Sequence, residues 1–131
     1  MMAKLANKGE LLKFMGDHYD HNFKAANYLL VAHGAALAAS LSVLKDYAST
    51  PQLKGIGTFV ILFGVGLLAA IVYYASLALA RATVLNAIMS DEYAGQSTAR
   101  FLGNVNIGAL SIAVAAMVVA IVVVIWRFSS L

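Results

Sequence analysis

The stretch Ile112-Ala113-Val114-Ala115-Ala116-Met117-Val118-Val119-Ala120-Ile121-Val122-Val123-Val124-Ile125 decides the fold. In water such a density of β-branched side chains would suit a strand. The run is too long for one, and it sits in an uncharged interval that reaches from Arg100 to Arg127. An unbroken apolar segment of that length reads as a helix crossing a membrane.

Two further intervals have the same character. Between Lys24 and Lys45 lie 20 uncharged residues, and between Lys54 and Arg81 lie 26, as many as separate Arg100 from Arg127. A helix needs roughly 20 apolar residues to cross a hydrocarbon core of about 30 Å. Only a helix satisfies every backbone amide within such a segment. The expected fold is therefore all-α, a single membrane domain over residues 1–131 with spans at about 25–44, 56–80 and 102–126. A cleaved signal peptide is the alternative reading for 25–44, but the stretch before it is long and mixed in charge for an n-region.

Composition agrees. Of 131 residues, 62% are hydrophobic and 11% charged, and the mean hydropathy is +0.83. Soluble domains carry roughly 25% charged residues, so a soluble fold could not cover this much apolar surface. The chain has no cysteine, which excludes disulfides, thiolate catalysis and cysteine-ligated metal. A formal charge of +3, with no basic block, gives no reason to expect a nucleic-acid partner.

Residues 3–24 are expected to form an N-terminal amphipathic helix. Leu5, Leu12, Met15, Tyr19 and Phe23 share one face, while Glu10, Lys13, Asp17, Asp20 and Lys24 recur on another. Glu10–Lys13, Lys13–Asp17 and Asp20–Lys24 are opposite-charge pairs at helical spacing. Such a helix suits the headgroup plane; packing on a partner is the alternative. The loop from Lys45 to Lys54 holds the only proline, Pro51. The second connection is longer, and Ala82-Thr83-Val84-Leu85-Asn86-Ala87-Ile88-Met89 extends the second helix until Ser90-Asp91-Glu92 stops it.

Basic residues set an expected orientation. Lys4, Lys8, Lys13, Lys24, Arg81 and Arg100 fall on one side; Lys45, Lys54 and Arg127 fall on the other. That places the N-terminus in the cytoplasm and the C-terminus outside, in an inner or cytoplasmic membrane. Trp126 and Phe128 flank Arg127 as an interfacial anchor.

Chemistry-bearing residues are few. Asp17-His18-Tyr19-Asp20-His21 puts two or three ligand types on one helix face, with Asp91 and Glu92 on the same side. Zinc or iron would require a further ligand that the sequence does not bring near, so a solvated helix face is the expectation and no metal or cofactor is assigned. His33 is the one intramembrane histidine. Such a group is a functional candidate, and packing or a hydrogen bond to Asn104, Asn106 or Tyr73 is the structural alternative. Asn27, Asn104 and Asn106 read as amides buried between helices.

Small residues carry the packing signal. Ala32, Ala36 and Ser40 repeat on the first span; Gly57, Gly64, Gly66 and Ala70 mark the second; Ala109, Ala113, Ala116 and Ala120 make a heptad-like stripe on the third. Small residues let helices approach closely where lipid is already apolar. His33, Asn104, Asn106, Gly64, Gly66, Ala109, Ala113, Ala116 and Ala120 are thus the candidates for helix packing or for lining a pore.

No phosphate loop, nucleophile motif or intramembrane carboxylate pair is present, so the chain is not expected to be an enzyme. Its expected role is that of a small polytopic membrane protein that self-associates through small-residue faces, forming a pore or a membrane-disrupting assembly. The alternative is an accessory subunit of a larger membrane complex, and a small transporter ranks last. In length and hydropathy the chain resembles phage holins of the three-span type. It departs from them in ending Arg127-Phe128-Ser129-Ser130-Leu131, without their charged tail, and in its expected orientation, so no residue of theirs is carried over.

Overall fold

The computed structural model describes residues 2–47, 55–90 and 96–129, and the side-chain surroundings of 7–46, 55–90 and 97–126. These residues form three helices: α1 (Met2–Tyr47), α2 (Ile56–Ser90) and α3 (Gln96–Ser129). All three are long and apolar enough to cross a membrane. At 1.5 Å per residue, α2 and α3 are roughly 50 Å long and α1 roughly 70 Å, well beyond a hydrocarbon core of about 30 Å.

The helices form an up-down-up bundle in which α2 is central. Gly55 opens α2 with a positive φ of 95°, a left-handed conformation that glycine adopts without a Cβ penalty. Its carbonyl accepts the Thr58 amide at 3.0 Å to begin the first turn. As expected, 82–89 continue α2, which runs to Ser90. Much of the proline loop and the Asp91-Glu92 stretch lie outside the described residues.

One expectation is corrected. Residues 3–24 and 25–44 are not separate elements but one continuous helix. No proline or glycine pair interrupts the chain at the expected junction, and one seam runs through both parts. Tyr19, Ala26, His33 and Ser40 stand seven residues apart and are all buried, the spacing that keeps side chains on one helix–helix seam. Part of the apolar face of 3–24, for which packing was the alternative to the headgroup plane, lies inside the bundle. Tyr19, with Met15 and Phe23, closes on Tyr73, Leu77, Ala80 and Leu102.

The rest of the core follows the same period. Gly66, Ala69, Ala70, Tyr73, Ser76, Leu77 and Ala80 line the inner face of α2. Leu102, Ala109, Ala113, Ala116 and Ala120 line that of α3. Alanine dominates, so the helices gain contact by close approach rather than by large interlocking side chains.

The large apolar side chains point outward. Tyr28, Val31, Ile61, Leu68, Ile107, Val118 and Ile125 are all at least half exposed. The accessible surface is 9015 Å², against roughly 6,600 Å² for a compact soluble monomer of this mass. Apart from the Tyr19, Tyr73, Leu77 and Leu102 cluster, this fold puts mainly small residues inside and large apolar ones outside.

Candidate functional site

The inner seams converge on His33. Its side chain is fully buried although it comes from α1 alone, because the two other helices make room for it. On α2, Gly66 leaves a gap that the imidazole fills: a Cβ on Gly66 would stand 2.1 Å from His33 Cε1 and 2.3 Å from Nδ1. On α3, the Ala113 carbonyl lies 3.0 Å from His33 Nε2. The Phe63 ring closes the site at a centroid distance of 6.1 Å.

This geometry selects a tautomer. A carbonyl oxygen can only accept, so Nε2 carries the proton and donates it, and Nδ1 is left as an acceptor. Nδ1 is buried and has no hydrogen-bond partner among the described residues. For His33 the structural alternative was packing or a hydrogen bond to Asn104, Asn106 or Tyr73; the ring is packed inside the bundle and bonds to none of those three. It reaches a backbone carbonyl instead, which Ala113 leaves accessible because its methyl is too small to cover it.

A second polar layer lies toward the charged end of the bundle. Ser76 Oγ is 3.0 Å from the Tyr73 carbonyl and also in contact with the Asn106 side-chain amide. Both partners are acceptors, the Tyr73 carbonyl and Asn106 Oδ1, so the one hydroxyl proton serves one of them at a time. The Tyr73 hydroxyl donates to Asn22 Oδ1 at 3.4 Å, and Asn22 Nδ2 donates to the His18 carbonyl at 3.1 Å. Beyond this layer Arg81 meets Asp20 at 3.4 Å, both partly exposed. Asp20 thus reaches across to α2, where sequence spacing had paired it with Lys24.

The sequence candidates separate into two groups. His33, Gly66, Ala109, Ala113, Ala116 and Ala120 are buried together along the seams, and Asn106 joins them through Ser76. Asn104 and Asn27 are exposed in the single chain and form no contact between its own helices there. Gly64 lies half-buried with open space around its α-carbon. Among the described residues no group of three or more potential ligands gathers into a metal site, so His18 and His21 remain an exposed helix face. Ser76 escaped notice in the sequence, where a lone serine in an apolar helix carries no signal of its partner.

No protein-family model, curated protein or solved structure matches this chain.

Proposed function

We propose that this chain is a non-enzymatic multi-pass membrane protein that acts as an assembly of identical copies joined through the outward face of α1. Its three helices cross the bilayer with the N-terminus cytoplasmic, as the distribution of basic residues favours. Outward-facing Val, Ile and Leu side chains meet the lipid.

One observation carries the self-association. The Ala109–Ala113–Ala116–Ala120 stripe, a natural face for a second copy, is consumed by packing within the chain. On α1, Ala25, Tyr28, Ala32, Ala35, Ala39 and Ser42 remain exposed at alternating steps of three and four. This is a second heptad seam, small-residued throughout except for Tyr28. The exposed surface of α3 has a shorter small run, Gly108, Ser111 and Ala115, beside the bulky Ile107, Ile112, Val118 and Ile121. Small residues support close helix contact in lipid, whereas isoleucine and valine are well solvated there. A second copy is the occupant that brings a matching seam. His33 and Asn106 face inward in one chain, so lining a pore with them would require the bundle to open.

The test is the protein's mass in detergent by light scattering, with detergent and lipid contributions subtracted. A defined oligomer that becomes monomeric in Ala35→Leu/Ala39→Leu, while Ala115→Leu on the α3 surface leaves it intact, supports the reading. A monomeric wild-type chain overturns it and favours the accessory-subunit reading, in which the α1 seam packs on a different protein.

A further inference from the structure

We propose that His33 is a proton-operated latch between α1 and α3: neutral, it holds the two helices together, and on taking up a proton it releases them. The inference concerns one chain and does not depend on self-association.

The latch is the bond from His33 Nε2 to the Ala113 carbonyl, 3.0 Å long and fully buried. It forms with a neutral imidazole, whose single proton is spent on Nε2. The other nitrogen is where a second proton would go, and Nδ1 is buried with no partner among the described residues. Nδ1 stands 2.3 Å from where a Cβ on Gly66 would be, and a new N–H there would find no hydrogen-bond partner among the described residues.

The new charge would also lack a counter-ion. From α2, Gly66 and Phe63 face the ring, and Tyr73 and Tyr74 are the nearest titratable side chains along that helix. From α3, Ala113 faces it, and no titratable residue lies between Arg100 and Arg127. On α1 itself Tyr28 points outward, 75% exposed, and the nearest charges are Lys24 and Lys45. Phe63 offers a ring tilted by 58° at 6.1 Å, the outer limit of a cation–π contact. A buried cation without a partner is costly, and the remedy open to this fold is for α1 to turn or separate until water reaches the ring. Seating a second proton on the ring therefore calls for an open bundle.

The cysteine-free chain permits a direct test. Leu41→Cys and Val122→Cys place spin labels at exposed positions off the α1 seam, eight residues beyond His33 on α1 and nine beyond Ala113 on α3. Their separation is measured by pulsed electron paramagnetic resonance in lipid nanodiscs between about pH 8 and about pH 5, the range in which imidazoles change charge. The expected result is a single short distance at the upper pH and a longer population that becomes the major one at the lower. The shift persists in His18→Gln/His21→Gln, which removes the two exposed histidines. It disappears in His33→Gln, whose amide can still donate to the Ala113 carbonyl but takes up no proton. An unchanged distance in the wild type, or the same opening in His33→Gln, overturns the proposal. Should His33→Gln fail to fold, ¹⁵N shifts of the ring in the His18→Gln/His21→Gln background decide. Protonation of Nδ1 coincident with the lengthening supports the latch, and protonation with no change of distance refutes it.

Discussion

Gly66 and His33 occupy one space: the imidazole of His33 lies where a side chain on residue 66 would begin, 2.1 Å from the Cβ position. Neither helix backbone can yield easily, because α2 is held by α3 on its other side through Ala69, Ala70 and Ala113. Replacing Gly66 by alanine should therefore destabilise the bundle by about 1–3 kcal/mol, the usual cost of overpacking. Gly64→Ala, with nothing within 4 Å of its Cβ position, should change stability by less than about 1 kcal/mol. Equilibrium unfolding in mixed micelles compares the two; equal losses would contradict the assignment of Gly66 as the cradle.

The two residues should also be coupled. His33→Ala alone removes a buried ring and its hydrogen bond, and should cost about 2–5 kcal/mol. In the double variant Gly66→Ala/His33→Ala the added methyl enters the space that the ring has left. The double variant should then be more stable than the sum of the single changes by at least about 1 kcal/mol. Additive losses would show that the contact is not what makes either substitution harmful.

Asn106 and Asn104 provide a matched pair two residues apart. Asn106 is engaged with Ser76, while Asn104 is exposed. Asn106→Ala should cost about 0.6 kcal/mol, the measured average for polar contacts between membrane helices, and no more than about 1.7 kcal/mol. Asn104→Ala should be close to neutral. The same unfolding titration reads both, and a larger loss at Asn104 would refute the inward assignment of Asn106.

On α3, adjacent alanines should respond differently to enlargement. Ala113 and Ala120 are fully buried, and leucine at either should cost about 1–3 kcal/mol by overpacking. Leucine at the exposed Ala115 should be tolerated. Thermal unfolding in detergent distinguishes them.

The Asp20–Arg81 pair spans 3.4 Å with both side chains partly exposed. Exposed ion pairs contribute about 0–1 kcal/mol and are screened by salt. Asp20→Asn should therefore shift stability by less than about 1 kcal/mol, and less again at high salt. A large, salt-independent loss would mean that the pair is shielded from solvent.

Much of this arrangement can be read from the residues, and the failures have physical reasons. The α3 alanine stripe is legible because alanines at heptad spacing define a face without reference to a partner. That Asn27 and Asn104 face out of the single chain was not legible, because an asparagine in an apolar segment does not reveal its azimuth. Both lie near the ends of the uncharged intervals, where exposure of an amide is cheap. The division of α1 at Lys24 failed because a change from amphipathic to apolar character marks a change of surroundings, not a break in the backbone.

By itself the sequence determined that the chain is helical and how many helices are apolar enough to cross a membrane. Spacing between charges and unbroken hydrophobicity are local properties, and in lipid local hydrogen bonding leaves the backbone almost no alternative. It also singled out His33 and Gly66, each for its own residue type. Only the tertiary structure decided that they belong together, that the proton of His33 goes to the Ala113 carbonyl, and that the α3 stripe is spent inside while an alanine seam on α1 stays outside. Those facts depend on how each helix is rotated and shifted against its neighbours. That choice is set by the summed fit of many small contacts, which no single residue records.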